Sequence, residues 1–184
     1  MLPGFSSMDL VAVLLNYNEG EAERCLVVCY AYLPYASEDP PLTQQFEELL
    51  HACEVKNFYL VTGWKSNSHH TVWGSTNCND RGVALLGFLH SMNLEILNQG
   101  DYPTFCSAKR LEVIDINLGS FWLLESFKSW EVYSEPYLSD HRHTPFNCSI
   151  RRALYWHTWS GILGVAIGTP FGRKQRVDWI GPQK

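Results

Sequence analysis

Charge is scarce in this sequence. Of 184 residues only 18% are Asp, Glu, Lys or Arg, against 46% apolar and 14% aromatic, and no polar low-complexity tract interrupts them. A chain with this much apolar surface does not stay open in water, which excludes disorder for its body, and its length suits one domain. Long hydrophobic runs are missing too. The longest near the end, Gly161 to Gly168, is far short of the roughly 20 residues a spanning helix needs, so no membrane partner is expected. No apolar leader with a cleavage site opens the chain, and no two of Cys25, Cys29, Cys53, Cys78, Cys106 and Cys148 form a Cys-x-x-Cys pair. Reduced thiols in an intracellular protein are the expectation. Also absent are the Gly-x-x-x-x-Gly-Lys-Ser/Thr phosphate loop, the Gly-x-Gly-x-x-Gly fingerprint, the Gly-x-Ser-x-Gly elbow and any internal repeat. Nucleotide-dependent and serine-hydrolase functions lose support accordingly.

The net charge of −5 is unevenly divided. Six basic side chains after residue 149 (Arg151, Arg152, Arg173, Lys174, Arg176, Lys184) stand against Asp178, which gives +5 there and leaves −10 on residues 1–149. So acidic a body attracts cations and repels nucleic acid unless its few basic groups are focused on one face.

Two apolar stretches, Leu10–Leu15 and Cys25–Tyr32, read as paired, buried strands around an acidic turn from Asn16 to Arg24. Phe46, Leu49, Leu50 and Cys53 recur at helical spacing behind Thr43 as N-cap, and Leu85, Phe88, Leu89 and Met92 mark a second helix from about Asp80. Asn57–Thr62 and Leu94–Leu97 read as strands, and Gly63–Arg81 as a loop too polar to be core. In Leu111–Leu118 the period is two: Ile114, Ile116 and Leu118 share a core face, and Asp115 and Asn117 the polar one. Trp130–Tyr133 and His143–Ile150 complete the strands, which outnumber the helices and suggest a layered, mixed α/β domain over residues 1–150. Residues 151–184, basic and tryptophan-containing, show no steady period.

Polar loops at strand ends are where a rigid sheet presents functional groups. Three are present: Gly63–His70, Ile114-Asp115-Ile116 and Ser139-Asp140-His141. An imidazole held by a carboxylate keeps one tautomer and becomes a usable base, and Asp115, on an otherwise apolar strand, is the natural partner for His141. The plainer reading makes Asp115 a satisfied cap and Asp140-His141 an ordinary turn. His69-His70 invites a zinc reading, but adjacent histidines on an extended loop point apart and no second pair has zinc spacing. The scattered cysteines fit small core residues better.

In order along the chain stand Ala31-Tyr32-Leu33-Pro34, Asn67-Ser68-His69-His70 with Trp73-Gly74, Asn79-Asp80-Arg81-Gly82, Pro103-Thr104-Phe105, Val113-Ile114-Asp115 and Ser139-Asp140-His141-Arg142. As an ordered set these resemble the endonuclease/exonuclease/phosphatase family, specifically the apurinic-type endonuclease domain of non-LTR retrotransposons, from about Asp9 to Phe146. The resemblance implies a DNase-I-like, four-layer α/β sandwich and phosphodiester hydrolysis of DNA with a divalent ion, usually magnesium, in a nuclear setting. It implies that His141 lies beside the scissile phosphate, that Asp115 orients it, and that Asp140 stands at the metal end. Asn67 would position phosphate or water, and Tyr32 would contact the phosphate.

Two departures accompany the resemblance. Where the family's loop reads Asp-x-Asn this sequence has Lys65-Ser66-Asn67, and a lysine there repels a metal and accepts no proton. The family's domain also has a further N-terminal section with the principal metal-binding glutamate, which would lie ahead of Met1. The expectation is therefore a DNA-nicking domain that is incomplete at its N-terminus and impaired. Its DNA binding would be weak, would draw on the basic tail, and would be accompanied by self-association through an uncovered strand edge. The alternatives are a non-catalytic remnant or interaction module and, at a further remove, a zinc hydrolase using His69, His70 and a cysteine.

Overall fold

A computed structural model describes residues 4–19, 21–34, 44–134, 139–148, 154–159 and 162–167. Strand β1 (Leu10–Glu19) pairs antiparallel with β2 (Ala22–Tyr32) in an unbroken ladder from Leu10 opposite Ala31 to Glu19 opposite Ala22. The expected acidic turn from Asn16 to Arg24 is thus mostly strand, because two antiparallel strands joined by a tight connection keep exchanging backbone hydrogen bonds whatever their side chains. Helix α1 (Gln44–Lys56) ends where Asn57 takes a left-handed φ of 52°, a conformation asparagine tolerates. Thr43, its expected N-cap, lies outside the described residues.

The next strand, β3 (Tyr59–Lys65), starts later and ends later than Asn57–Thr62. Helix α2 (Asp80–Ser91) is capped by Asn79, whose Oδ1 accepts from Gly82 N at 2.7 Å and from His69 N at 3.0 Å. There follow β4 (Leu94–Ile96), the ribbon of β5 (Phe105–Ser107) and β6 (Arg110–Glu112), β7 (Asp115–Ser120), β8 (Phe127–Trp130) and β9 (Phe146–Cys148). Two further strands, β10 (Leu154–Trp159) and β11 (Ile162–Ile167), close the series.

One sheet has the order β1-β2-β3-β7-β4 and the other β11-β10-β9-β8. Alternation along the strands divides the core in two. Val27, Cys29, Ala31, Leu60, Trp64, Ile116 and Leu118 face α1 and α2, meeting Phe46, Leu49, Leu85 and Leu89. Leu26, Val28 and Val61 face the second sheet, meeting Trp130, Phe146 and Cys148. The result is an α/β sandwich, of which the described residues supply three layers: helices, five-stranded sheet, four-stranded sheet. Among them no helix is long and apolar enough to cross a membrane.

Four sequence expectations need correction. The segment after Thr62 is not too polar to be core: Trp64, Ser66, Ser68, Trp73, Ser75 and Arg81 are all buried. Ser66, Ser68, Trp73, Ser75 and Arg81 bond one another or neighbouring carbonyls, and buried polar groups cost little when paired. Leu111–Leu118 is not one strand. Ser75 Oγ takes Val113 O, Ser66 Oγ takes Ile114 O, and Thr104 Oγ1 accepts from the amides of Ile114 and Asp115, so hydroxyls replace the ladder between β6 and β7. Asn117, on the polar face of β7, is buried, with Nδ2 donating to Thr144 Oγ1 at 3.2 Å. Strand β8 ends at Trp130, although Glu131 N and Tyr133 N still donate to Pro145 O and His143 O. Beyond residue 150, β10 pairs with β9 and carries the second sheet into the stretch that showed no period.

Candidate active site

Strands β2 and β3 are parallel and β7 is antiparallel to both, so the ends of the first two and the start of the third share one rim. The register sets Tyr32 opposite Lys65 and Lys65 opposite Asp115. Cross-strand partners carry their side chains on the same face, here the face toward the second sheet. The Lys65 ammonium lies 5.8 Å from the centre of the Tyr32 ring.

His141 reaches this rim from the loop beside β5. Cys106 N donates to Asp140 O and Arg142 N to Thr104 O, both at 2.7 Å, which pins the backbone on either side of it. Its Nδ1 lies 2.8 and 3.0 Å from the two oxygens of Asp115, and its ring packs edge-on against Phe105 with centroids 5.0 Å apart. With Nδ1–H donating to the carboxylate, Nε2 is the nitrogen left for chemistry, and it makes no hydrogen bond among the described residues. Both side chains are mostly shielded, at 10% and 18% exposure. Thr104, itself fully buried, joins the two halves: its hydroxyl holds the Asp115 amide while its carbonyl holds Arg142.

Asn67 occupies the turn after β3 with a left-handed φ of 53°. It is half-buried, and its amide makes no hydrogen bond among the described residues. The turn is built by Ser66, Ser68 and Arg81. Arg81 donates from Nε to Ser66 O (2.9 Å) and from Nη2 to Leu33 O (3.2 Å) and Pro34 O (2.8 Å), tying the exits of β2 and β3 together from the first turn of α2. That helix comes so close that a Cβ at Gly82 would collide with the His69 carbonyl. Beneath the rim, Asn98 braces β7 by donating to Asp115 O and accepting from Asn117 N.

The structure thus brings Tyr32, Lys65, Asp115, His141 and Asn67 to one rim. It leaves the Asp140 carboxylate exposed, with no hydrogen bond or ion pair among the described residues. His69 and His70 do not converge. His69 sits between Arg110 (Nε2 to Nη2, 2.8 Å) and Glu112 (Nδ1 to Oε2, 3.5 Å), while His70 Nδ1 accepts from Val72 N. Burial pushes the thiols of Cys29 and Cys148 up to about 12 and that of Cys53 to about 11, which suits core residues and not thiolate ligands. Among the described residues no three His, Cys, Asp or Glu side chains come together in a way that could hold a metal ion. Arg81, Thr104 and Asn98 were given no role in the sequence reading, although Arg81 and Thr104 lie inside its motifs.

Residues 26–144 match the family described as endonuclease-reverse transcriptase. The structure is similar to the endonuclease domain of TRAS1, a telomere-specific non-LTR retrotransposon, with a TM-score of 0.57 and 25% identity over 78% of this chain and 70% of that one. It is also similar to the catalytic domain of Xenopus laevis APE2, with a TM-score of 0.50 and 20% identity over 73% of this chain and 52% of that one. Curated protein sequences gave no match.

Proposed function

Because the chain belongs to the endonuclease-reverse transcriptase family, whose match spans most of its length, we propose that its His141 rim engages the phosphodiester backbone of DNA as a retrotransposon-type endonuclease domain does. One observation carries this reading: His141 Nδ1 is locked on Asp115 at 2.8 Å in the same rim as Tyr32 and Asn67. The lock fixes the tautomer and leaves Nε2 as an acceptor available to a water beside the phosphate. The Tyr32 hydroxyl and the Asn67 amide hydrogen-bond the non-bridging oxygens and hold the phosphate in line, which is the positioning part of the barrier. A DNA substrate also implies action in the nucleus.

Magnesium is the family's expected ion, and the described residues at this rim do not fit it. Both oxygens of Asp115 are turned to His141, Asp140 stands alone, and Lys65 puts a positive charge in the same row. Charge stabilisation at the phosphoryl oxygens is a large part of such catalysis. We infer that hydrolysis by this chain is weak or absent while the grip on DNA remains. Supercoiled plasmid incubated with magnesium tests this: the unmodified chain should nick no faster than His141→Ala. Nicking that disappears in His141→Ala would overturn the inferred impairment and leave a working enzyme. The edge position of β1 favours a second reading, an interaction module that assembles through that strand.

A further inference from the structure

We propose that Lys65 stands in for a divalent ion, so that this rim binds a DNA phosphodiester through an ammonium group and without metal. The proposal rests on the DNA reading above and specifies its chemistry. Lys65 is the last residue of β3, flanked in register by Tyr32 on one side and Asp115 on the other, all on one face. A cation beside a carboxylate would ordinarily be neutralised by it. Here both Asp115 oxygens lie within 3.0 Å of His141 Nδ1, so the carboxylate keeps its charge but forms no direct ion pair with Lys65 among the described residues. Among the described residues Lys65 has no ion pair, and its ammonium lies over the Tyr32 ring, 5.8 Å from the centroid.

Two polar donors at the same rim likewise lack hydrogen-bond partners among the described residues: the Tyr32 hydroxyl and the Asn67 amide. An unpaired cation among uncommitted donors is a site for an anion. By Coulomb's law the same ammonium repels a dication twice as strongly as it attracts a single negative charge at equal distance. One phosphate is therefore welcome where magnesium is not. A lysine neutralises charge but neither generates hydroxide nor accepts a proton while charged. Binding without turnover follows.

The test is fluorescence anisotropy of a short labelled DNA duplex with the full chain, in EDTA and in magnesium at matched ionic strength. The unmodified chain should bind at least as tightly in EDTA. Lys65→Met should lose about tenfold, and Lys65→Arg should retain most of the affinity. Binding that requires magnesium would overturn the proposal without recourse to any variant, and so would a Lys65→Met protein, folded by its thermal melt, that binds like the unmodified chain. In both cases the DNA reading survives. No binding by the unmodified chain in either buffer would remove the DNA reading and this proposal with it.

Discussion

Arg81 joins three backbone carbonyls from two strand exits with a single guanidinium, and it is buried while doing so. Arg81→Met removes the guanidinium donor from all three, at a cost of roughly 3–5 kcal/mol. Urea unfolding should show that loss, with Arg81→Lys recovering only part of it because an ammonium is not a fork. Cys29 offers a second check. Its Sγ donates to Thr62 Oγ1 at 3.0 Å, and burial pushes the thiol from 9.0 up to about 12. A thiol that stays neutral in the folded protein but ionises at 9.0 when unfolded stabilises fully below pH 9, and that contribution is lost as pH rises from 9 through 12. Between pH 8 and pH 10 the unmodified protein should lose about 1 kcal/mol more than Cys29→Ser, which keeps a donor to Thr62 but no group ionising there; equal losses would contradict the burial. At this scale, Asp115 was legible because it interrupts an apolar strand and His141 because it follows an aspartate in a polar loop, whereas Tyr32, Asn67 and Lys65 entered only through the family's ordered motifs. Arg81 and Thr104 were not, because they act through backbone carbonyls and amides, which leave no pattern in side-chain chemistry.

Strand β1 is the edge of the five-stranded sheet, with Ser6 bridged to Val11 at its start. Beyond that bridge its outer backbone groups have no strand partner among the described residues, and Val13 is half-buried outside both core clusters. An open, apolar edge recruits another strand. Sedimentation velocity should show association that rises with concentration and that Val13→Lys suppresses, while a concentration-independent monomer would contradict it. Most elements followed from periodicity, both helices and the β1–β2 pair most clearly. The breaks did not. Whether Val113 and Ile114 continue a strand depends on Ser66, Ser75 and Thr104 taking their backbone groups, a competition between segments far apart in sequence. Strands β10 and β11 escaped notice for a related reason, since the pairing of β10 with β9 and of β11 with β10, and not an alternating pattern, defines where they run.

At the scale of the molecule, the two sheets give the rim its floor and the loops after β3 and before β9 give it its walls. The net charge of −5 means that any contact with DNA must be focused there and on the basic residues after 149, with an affinity that falls as salt rises. The opposite rim supplies an internal control. Strand β7 runs from Asp115 to Ser120, and beyond it Phe121 and Trp122 stand 53% and 71% exposed, an aromatic pair available for non-specific contact. The central claim is that DNA is held at the His141 end. It is tested most directly by following histidine, asparagine and tryptophan side-chain NMR signals while a short DNA duplex is added at low salt. The account predicts that His141 and Asn67 shift in proportion to bound DNA while the Trp122 indole stays in place. Shifts centred on Trp122 with His141 unmoved would contradict it.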